Sequence, residues 1–167
     1  MMLLFLLALL INPASLPAQT GANLNFKKLD GSTLNLSDLQ GKVVVISFSA
    51  KGIPLTRFEM PQLDRLASKF ADRGVVVLWV SCNSAKPKAP NYASDDDLRA
   101  LTTQFPNLLI VRDPTETASR QAGVDSLPTI LVYDQRGRVV GAPHTGIDPQ
   151  SNLTSDLTPV INRILTQ

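Results

Sequence analysis

The stretch GKVVVISFSAKGIPLTRFEMP, residues Gly41–Pro61, decides the fold class of this 167-residue chain. Its run from Val43 to Phe48 is continuously apolar, which is typical of a strand buried on both faces of a sheet. Helical spacing of apolar residues follows from Phe58 to Arg73, and Gly74 predicts the end of that helix. A strand-to-helix junction is where many α/β enzymes hold their reactive groups. Here the junction after Ser49 has a proline, an arginine and a glutamate, but no Cys, His or Ser that could act as a nucleophile.

The remaining elements alternate along the chain in the same way. A hairpin turning at Asp30-Gly31 precedes the Gly41–Pro61 stretch. After it come a strand at Val75–Ser81, a helix capped by Ser94 with Asp95, Asp96 and Asp97 in its first turn, and a strand over 107–111. The last elements are a short helix ending at Gly123, a hairpin of Thr129–Asp134 with Arg138–Val140, and a closing helix capped by Thr158 and reaching Leu165. This order predicts an α/β protein with parallel crossovers and an antiparallel edge strand. Its functional edge is expected at the carboxyl ends of the parallel strands, which include Phe48–Pro61 and Ser81–Cys82.

Composition excludes several functional classes. A hydrophobic content of 44% and a charged content of 18% describe a globular protein, and a net charge of +2 gives no reason to expect nucleic acid as a partner. One cysteine allows no intramolecular disulfide, and one histidine leaves no metal-ligand cluster, so we expect neither a metal nor another cofactor. The acidic triplet after Ser94 is interpreted as helix-end stabilisation rather than a metal site.

The N-terminus predicts export. Residues 1–11 form an apolar run about half as long as the ~20 residues of a membrane span, and small residues follow it. Residues 1–18 are therefore interpreted as a signal peptide that is cleaved after Ala18, with an uncleaved membrane anchor as the alternative. The protein would then be periplasmic or secreted, and at the membrane only if the segment is retained. A single domain is expected over residues 22–166.

Three segments in combination resemble a known family. They are the strand and helix GKVVVISFSA…P…RFEMPQLDRLASKF, the strand DRGVVVLWVS, and the segment RDPTETASRQAGVDSLPTILVYDQRGRVV. They resemble the thioredoxin-like fold, and within it the exported TlpA-like thiol–disulfide oxidoreductases that adjoin the redoxin (AhpC/TSA-related) proteins. The resemblance implies a central mixed sheet with helices on both faces, an N-terminal β-hairpin, and a role in redox homeostasis.

The same resemblance places the redox cysteines of the family at Ile53 and Thr56. The family's chemistry needs a thiolate at a helix N-terminus and a second thiol that resolves the mixed disulfide. Isoleucine has no ionisable atom, and a threonine hydroxyl needs an adjacent base before it can attack. Dithiol exchange at this junction is therefore not expected, and the site is interpreted as degenerate.

What the resemblance retains is the binding half of the site. Pro128 matches the cis-proline that faces the redox centre, and Leu127 before it would offer main-chain groups to an extended partner chain. Glu59 matches a cleft glutamate, for which we expect either polar recognition or, in preference, stabilisation of the helix N-terminus. Together with Pro54 and Leu55 these residues predict a surface that binds a protein or peptide.

Two functional hypotheses follow. The first is a non-catalytic, partner-binding thioredoxin-like protein. The alternative is a thiol–disulfide oxidoreductase or antioxidant protein that acts through Cys82 alone, although a free cysteine at the end of a strand is more often a small buried residue. The lone histidine, His144, is interpreted as a surface residue, and Trp79 as part of the core.

Overall fold

The computed structural model describes residues 23–167, so the interpretation of residues 1–18 as a signal peptide lies outside the described part. The strands are β1 Asn25–Lys28, β2 Thr33–Asn35, β3 Val43–Ser49, β4 Val75–Ser81, β5 Leu109–Arg112, β6 Thr129–Tyr133 and β7 His144–Thr145. The helices are α1 Thr56–Lys69, α2 Asp95–Gln104, α3 Thr117–Gln121 and α4 Leu153–Leu165, with short 3-10 turns at Leu36–Leu39 and Ala71–Arg73.

The seven strands form one mixed sheet in the order β2-β1-β5-β4-β3-β6-β7. Strands β3, β4 and β5 are parallel, whereas β6 is antiparallel to β3 and β1 is antiparallel to β5. The N-terminal hairpin joins the sheet through β1, and β7 closes the other edge against β6. The predicted α/β class, the parallel crossovers and the antiparallel strand beside them are confirmed.

The two faces of the sheet form separate cores because side chains alternate along a strand. Val43 and Val45 of β3 pack on the face that α1, α2 and α4 cover. Val44, Ile46 and Phe48 pack on the face that α3 and the N-terminal hairpin cover. We call these the α1 face and the α3 face. All seven residues of β3 are buried, which explains the uninterrupted apolar run in its sequence.

Two sequence-based boundaries differ from the structure. The segment Arg138–Val140 pairs with the end of β6 as expected, through the Val139–Tyr133 bridge. The amide of Asp134 donates to the carbonyl of Arg138 and the amide of Val140 to that of Val132, but the segment is not a regular strand, and the next regular pairing with β6 is at β7. Pro143 has no N–H for the ladder, and Gly141 adopts a positive φ of 78°, so the intervening segment leaves the sheet.

Helix α4 begins at Leu153 rather than at Pro159. Asn152 caps it by accepting from the amide of Ser155, and the buried side chain of Gln62 in α1 accepts from the amide of Leu153 at 2.7 Å. The helix start is therefore fixed by a contact with α1 that no local sequence signal shows. Within residues 23–167, no helix is long and apolar enough to cross a membrane.

Candidate functional site

The β3–α1 junction lies at the carboxyl edge of the parallel strands, beside the loop that leads into β6. The strand register places Phe48 opposite Thr129, the first residue of β6. The chain turns at Gly52, whose φ of 99° is open to glycine without strain. It then enters α1, where the amide of Thr56 donates to the carbonyl of Ile53 at 3.1 Å. The two positions that the resemblance assigns to redox cysteines therefore lie on the last turn before the helix and at its first residue.

Neither of these two side chains can exchange disulfides. Ile53 is a half-buried hydrocarbon. Thr56 is only 9% exposed, and its hydroxyl donates to the carbonyl of Ala50 at 3.0 Å and lies 3.2 Å from the hydroxyl of Ser49. A hydroxyl held by a main-chain carbonyl and a second hydroxyl has no base of the kind that activates an alcohol. The turn between β3 and α1 therefore carries no thiol.

A buried carboxyl group lies directly beneath the junction. Glu59 has no exposed surface, and the hydroxyls of Ser47 and Ser49 both donate to its carboxyl oxygens, that of Ser49 at 3.0 Å. The indole N–H of Trp79 approaches the same carboxyl and lowers its pKa, although it makes no hydrogen bond of standard geometry. We call this group of four side chains the Glu59 pocket.

Burial raises the pKa of Glu59 from its ordinary 4.5 to about 7, and the hydrogen bonds from Ser47 and Ser49 oppose that rise. The carboxyl group is therefore half protonated near neutral pH. Glu59 was expected in the binding surface, but its side chain has no exposed atoms and lies beneath the cleft rather than on its surface. The carboxyl oxygens of Glu59 accept hydrogen bonds from the Ser47 and Ser49 hydroxyls of β3. Its main contacts are therefore with the sheet and not with the N-terminal amides of α1.

The two serines of the Glu59 pocket were not identified from the sequence. They occupy alternate positions with Val43 and Val45 on the same side of β3, so the strand changes on its α1 face from apolar to polar as it approaches the junction. That alternation is visible in VVVISFS once the strand's faces are known. Two serines at alternate positions near the end of an otherwise apolar strand, followed by a glutamate in the next helix, could have predicted this contact from the sequence.

The loop before β6 has the geometry that the resemblance implied. The Leu127–Pro128 peptide bond is cis. Thr129 Oγ1 donates to the carbonyl of Ser126 at 2.8 Å, and the amide of Gly146 donates to the carbonyl of Pro128 at 2.9 Å, which fixes the loop on both sides. Within the described part of the chain, the main-chain N–H and C=O of Leu127 take part in no hydrogen bond. Among residues 23–167, the main-chain groups of Asp125 and the N–H of Ser126 in the same loop are likewise unpaired, so Leu127 belongs to a short stretch of open main chain.

The structure brings the other predicted binding residues to one edge, but their side chains point in different directions. Pro54 is exposed, and Ile53 and Leu55 are half-buried. Leu55 packs partly against the core of the α1 face, whereas Leu127 packs partly against the core of the α3 face. Pro128 is buried. The surface open to a partner therefore consists of the 53–55 turn and the main chain at residue 127.

The single cysteine lies at the expected edge but on the opposite face from the redox turn. Cys82 is 2% exposed and packs in the core of the α3 face, whereas Trp79 and the Glu59 pocket lie on the α1 face. Burial, followed by the nearby carboxylates of Asp113 and Glu116, raises the pKa of the Cys82 thiol to about 12. Because the thiolate is the reactive form of a cysteine, both the burial and the raised pKa disfavour reaction at Cys82.

Asn83, which was not predicted from the sequence as a site residue, joins the turn at Lys51 to the β4–α2 loop. Asn83 is 1% exposed, its Oδ1 accepts from the amide of Lys51 at 2.7 Å, and its Nδ2 donates to the carbonyls of Lys51 at 3.1 Å and Asn91 at 2.8 Å. The redox-like turn and the β4–α2 loop are thereby tied together. No local pattern in the sequence predicts such a contact between distant loops.

The acidic triplet stabilises the start of α2, as the sequence predicted. Ser94 and Asp97 cap each other reciprocally. Each carboxylate also meets a different cation, the three pairs being Lys51–Asp97, Arg112–Asp95 and Arg99–Asp96. The Lys51 ammonium and the Ser94 contacts hold the pKa of Asp97 well below its usual range. Among residues 23–167, no group of three or more His, Cys, Asp or Glu side chains is placed to hold a metal ion, and His144 lies half-buried in the edge strand β7.

The mixed sheet, the turn into α1 and the adjoining cis-proline loop together define a thioredoxin-like protein. The chain belongs to the AhpC/TSA family, whose sequence profile matches residues 17–142. These findings confirm the resemblance drawn from the sequence.

Individual relatives lie in the same group. The thiol-disulfide oxidoreductase ResA of Halalkalibacterium halodurans is 26% identical over 128 residues, which cover 77% of this chain and 68% of the relative. The thioredoxin-like protein YneN of Bacillus subtilis is 30% identical over 128 residues, or 77% of this chain and 71% of the relative. Among solved structures, the exposed lipoprotein thioredoxin Etrx1 of Streptococcus pneumoniae aligns with a TM-score of 0.66 and 26% identity over 85% of this chain and 99% of that one.

Proposed function

We propose that this protein is a TlpA/redoxin-type thioredoxin-like protein that binds an extended polypeptide at its former redox cleft and does not exchange disulfides. The observation that carries the proposal is the pair of residues at the cysteine positions. Ile53 contributes a hydrocarbon surface, and the Thr56 hydroxyl is engaged by the carbonyl of Ala50. The turn that presents a thiolate in a working oxidoreductase presents an apolar side chain here.

The surroundings of the turn suit docking. Pro54 is exposed and Ile53 and Leu55 are half-buried, so these residues present a short, partly exposed apolar surface at the sheet edge, which an apolar side chain of a partner could cover. The unbonded main-chain groups of Leu127 lie on the neighbouring loop and can pair with an extended chain in the manner of an added strand. A partner would thus gain main-chain hydrogen bonds on one side and apolar contact on the other.

The alternative hypothesis, chemistry through Cys82, is less well supported. Its thiol is buried on the α3 face and its pKa is raised to about 12, so almost no thiolate is present at neutral pH. Family membership alone would suggest an oxidoreductase. The residues at the site favour binding.

The catalytic part of the proposal is tested by restoring the motif. Insulin reduction with dithiothreitol as the electron source is measured for the wild type and for the double variant Ile53→Cys/Thr56→Cys. The wild type is expected to show no turnover above the dithiothreitol background, and the double variant is expected to gain it. Ile53→Ser/Thr56→Ser is the matched control, since it changes the same positions without adding thiols. Turnover by the wild type would overturn the proposal.

The binding part is tested with a thiol-free unfolded chain, reduced and carboxymethylated α-lactalbumin, by isothermal titration calorimetry. Ile53→Asp is expected to weaken binding at least tenfold, because it places a charge in the centre of the apolar surface. Val139→Asp is the control: Val139 is 47% exposed but lies at the opposite edge of the sheet, beside the end of β6. Equal effects of the two variants, or no binding by the wild type, would contradict docking at this cleft.

We also propose that the protein is exported. The proposal rests on the apolar run at residues 1–11 and is consistent with a relative that is described as an exposed lipoprotein. N-terminal sequencing of the protein isolated from its native compartment tests cleavage after Ala18. A mature chain beginning at Gln19 supports the proposal, and an intact Met1 in a membrane fraction would indicate the anchored alternative.

A further inference from the structure

A pocket of about 190 Å³ opens on the α3 face, immediately behind the cis-proline loop. Its lining residues are Cys82, Glu116, Ser119, Arg120, Val124, Asp125, Ser126 and Leu127. Ligand cavities for whole small molecules usually measure about 300–1,000 Å³, so this pocket is the size for one long side chain rather than for a cofactor. The redox turn and the Glu59 pocket take no part in it.

The pocket has an apolar interior and an acidic surround. Cys82, Val124 and Leu127 supply its apolar surface. Of its charged residues, Arg120 is already engaged, since its guanidinium donates to Glu116 and to the carbonyl of Thr115.

Two further carboxylates near the pocket, those of Asp125 and Asp113, have no cationic side chain bonded to them in the part of the chain that the structure describes. Asp125 is exposed and accepts only a long hydrogen bond, at 3.3 Å, from Ser126. Asp113, whose carboxylate accepts from the amides of Thr117 and Ser119, adds a further buried negative charge behind the pocket. After burial, the carboxylates of Asp113 and Glu116 are the main influences that raise the pKa of Cys82, which agrees with the acidic charge placed around the pocket.

We propose that this pocket receives a lysine or arginine side chain of the polypeptide that docks at the cleft, an inference that rests on the proposed function. The aliphatic stem of such a side chain would lie against Cys82, Val124 and Leu127, and its cationic end would meet Asp125 at the rim. Leu127 supplies both the free main-chain groups and one wall of the pocket. Side chains alternate along an extended chain, so a residue next to the one paired with Leu127 would point towards the α3 face.

The test uses the full chain, labelled with ¹⁵N, and two kinds of probe followed by NMR. The first is n-butylguanidinium, which copies the end of an arginine side chain, with 1-pentanol and valerate as neutral and anionic counterparts. The second is the capped peptide acetyl-Gly-Val-Arg-Val-Gly-amide and its norleucine twin. Shifts at the amides of Cys82, Val124 and Leu127 report on the pocket, and shifts at Ile53 and Leu55 report on the redox-like turn.

The cationic probe is expected to shift the pocket amides more strongly than pentanol does, and valerate is expected not to bind. Asp125→Asn should weaken butylguanidinium binding about two- to fivefold, the range of a partly exposed ion pair, and Asp125→Lys should abolish it. Asp72→Asn and Asp72→Lys are matched controls, because Asp72 is an exposed carboxylate on the short turn after α1. They make the same changes in net charge and should leave binding unchanged.

Equal binding of pentanol and butylguanidinium, or an unchanged affinity in Asp125→Asn, would overturn the proposal in favour of an apolar occupant. A peptide that shifts only Ile53 and Leu55, equally with arginine or norleucine, would overturn it while leaving the proposed function intact. If lactalbumin fails to bind in the calorimetric experiment while butylguanidinium still enters the pocket, the proposed function fails and the pocket's preference for a cation stands. If no probe shifts the pocket amides, the pocket is not a recognition site.

Discussion

Replacing Glu59 with glutamine should change how the stability of the protein depends on pH. The pKa of Glu59 is raised from 4.5 to about 7 in the folded state by burial. Between these two values the folded protein holds a proton that the unfolded chain has released, so stability falls as pH rises and stays lower above pH 7. A rise of this size corresponds to about 3 kcal/mol of lost stability at pH 8 relative to pH 4. Glutamine keeps the size and an acceptor for Ser47 and Ser49 but does not titrate.

The measurement is urea unfolding from pH 4 to pH 8.5, followed by the fluorescence of Trp79. This residue is the only tryptophan, and it is buried beside the carboxyl group. The free energy of unfolding of Glu59→Gln minus that of the wild type cancels the titration of all other groups. We expect this difference to grow by about 3 kcal/mol across the range, with most of the change between pH 4.5 and 7. Glu116→Gln, the same change at the chain's other glutamate, serves as the control because Glu116 is exposed.

A difference that stays constant across the pH range would refute the reasoning, since it would mean that burial does not perturb Glu59. A difference that grows in the opposite direction would mean that the serine hydrogen bonds outweigh burial and lower the pKa. If Glu116→Gln showed the same growth, the effect would belong to the net charge of the protein and not to the Glu59 pocket.

Three further predictions concern single contacts. The thiol of Cys82 should be labelled by 5,5′-dithiobis(2-nitrobenzoate) no faster than the protein unfolds, because this thiol is buried and its pKa is raised to about 12. Asn83→Ala should lower the free energy of unfolding by about 1–3 kcal/mol, because it removes a buried side chain whose hydrogen bonds join Lys51 and Asn91. Gln62→Ala should lower it by about 1–2 kcal/mol and loosen the start of α4, since the amide of Leu153 loses its partner; urea unfolding measures the first and amide hydrogen exchange at α4 the second.

Each of these has a clear contrary result. Labelling of Cys82 within seconds in the native state would revive the hypothesis of a reactive thiol. Asn83→Ala with wild-type stability would show that water replaces the lost hydrogen bonds and that the two loops are not held together by this side chain. Hydrogen exchange at α4 that is unchanged in Gln62→Ala would mean that the Asn152 cap alone fixes the helix start.

The sequence predicted the sheet well because its central strands are long and apolar. Strand β4 was predicted with its exact ends, Val75–Ser81, and β3 to within one residue. In a strand that is buried on both faces, every position is apolar, so the strand can be recognised in the sequence without knowing its neighbours in the fold. The predicted start of α4 was wrong because the helix begins where the Leu153 amide bonds Gln62, about 90 residues away along the chain. A contact between such distant residues produces no periodic pattern in the sequence.

The candidate site was predicted in part. The turn at Ile53 and Thr56 and the cis bond at Pro128 followed from the resemblance, and the structure agrees with the geometry of both. The burial of Glu59 could not be inferred from its residue type, because a glutamate is normally exposed unless it has partners. The face of Cys82 could have been found: it lies three residues after the core residue Trp79, and an odd spacing along an extended strand reverses the direction of the side chain.

The hydrogen bonds of Asn83 have a consequence for the thermodynamics of docking. They connect the Lys51 main chain with the carbonyl of Asn91, so the turn and the β4–α2 loop cannot move independently. A surface whose loops are already fixed loses little conformational entropy when a partner arrives. If an extended chain docks beside this turn as proposed, most of the ordering on association would fall on the partner, because the two loops are already fixed by Asn83.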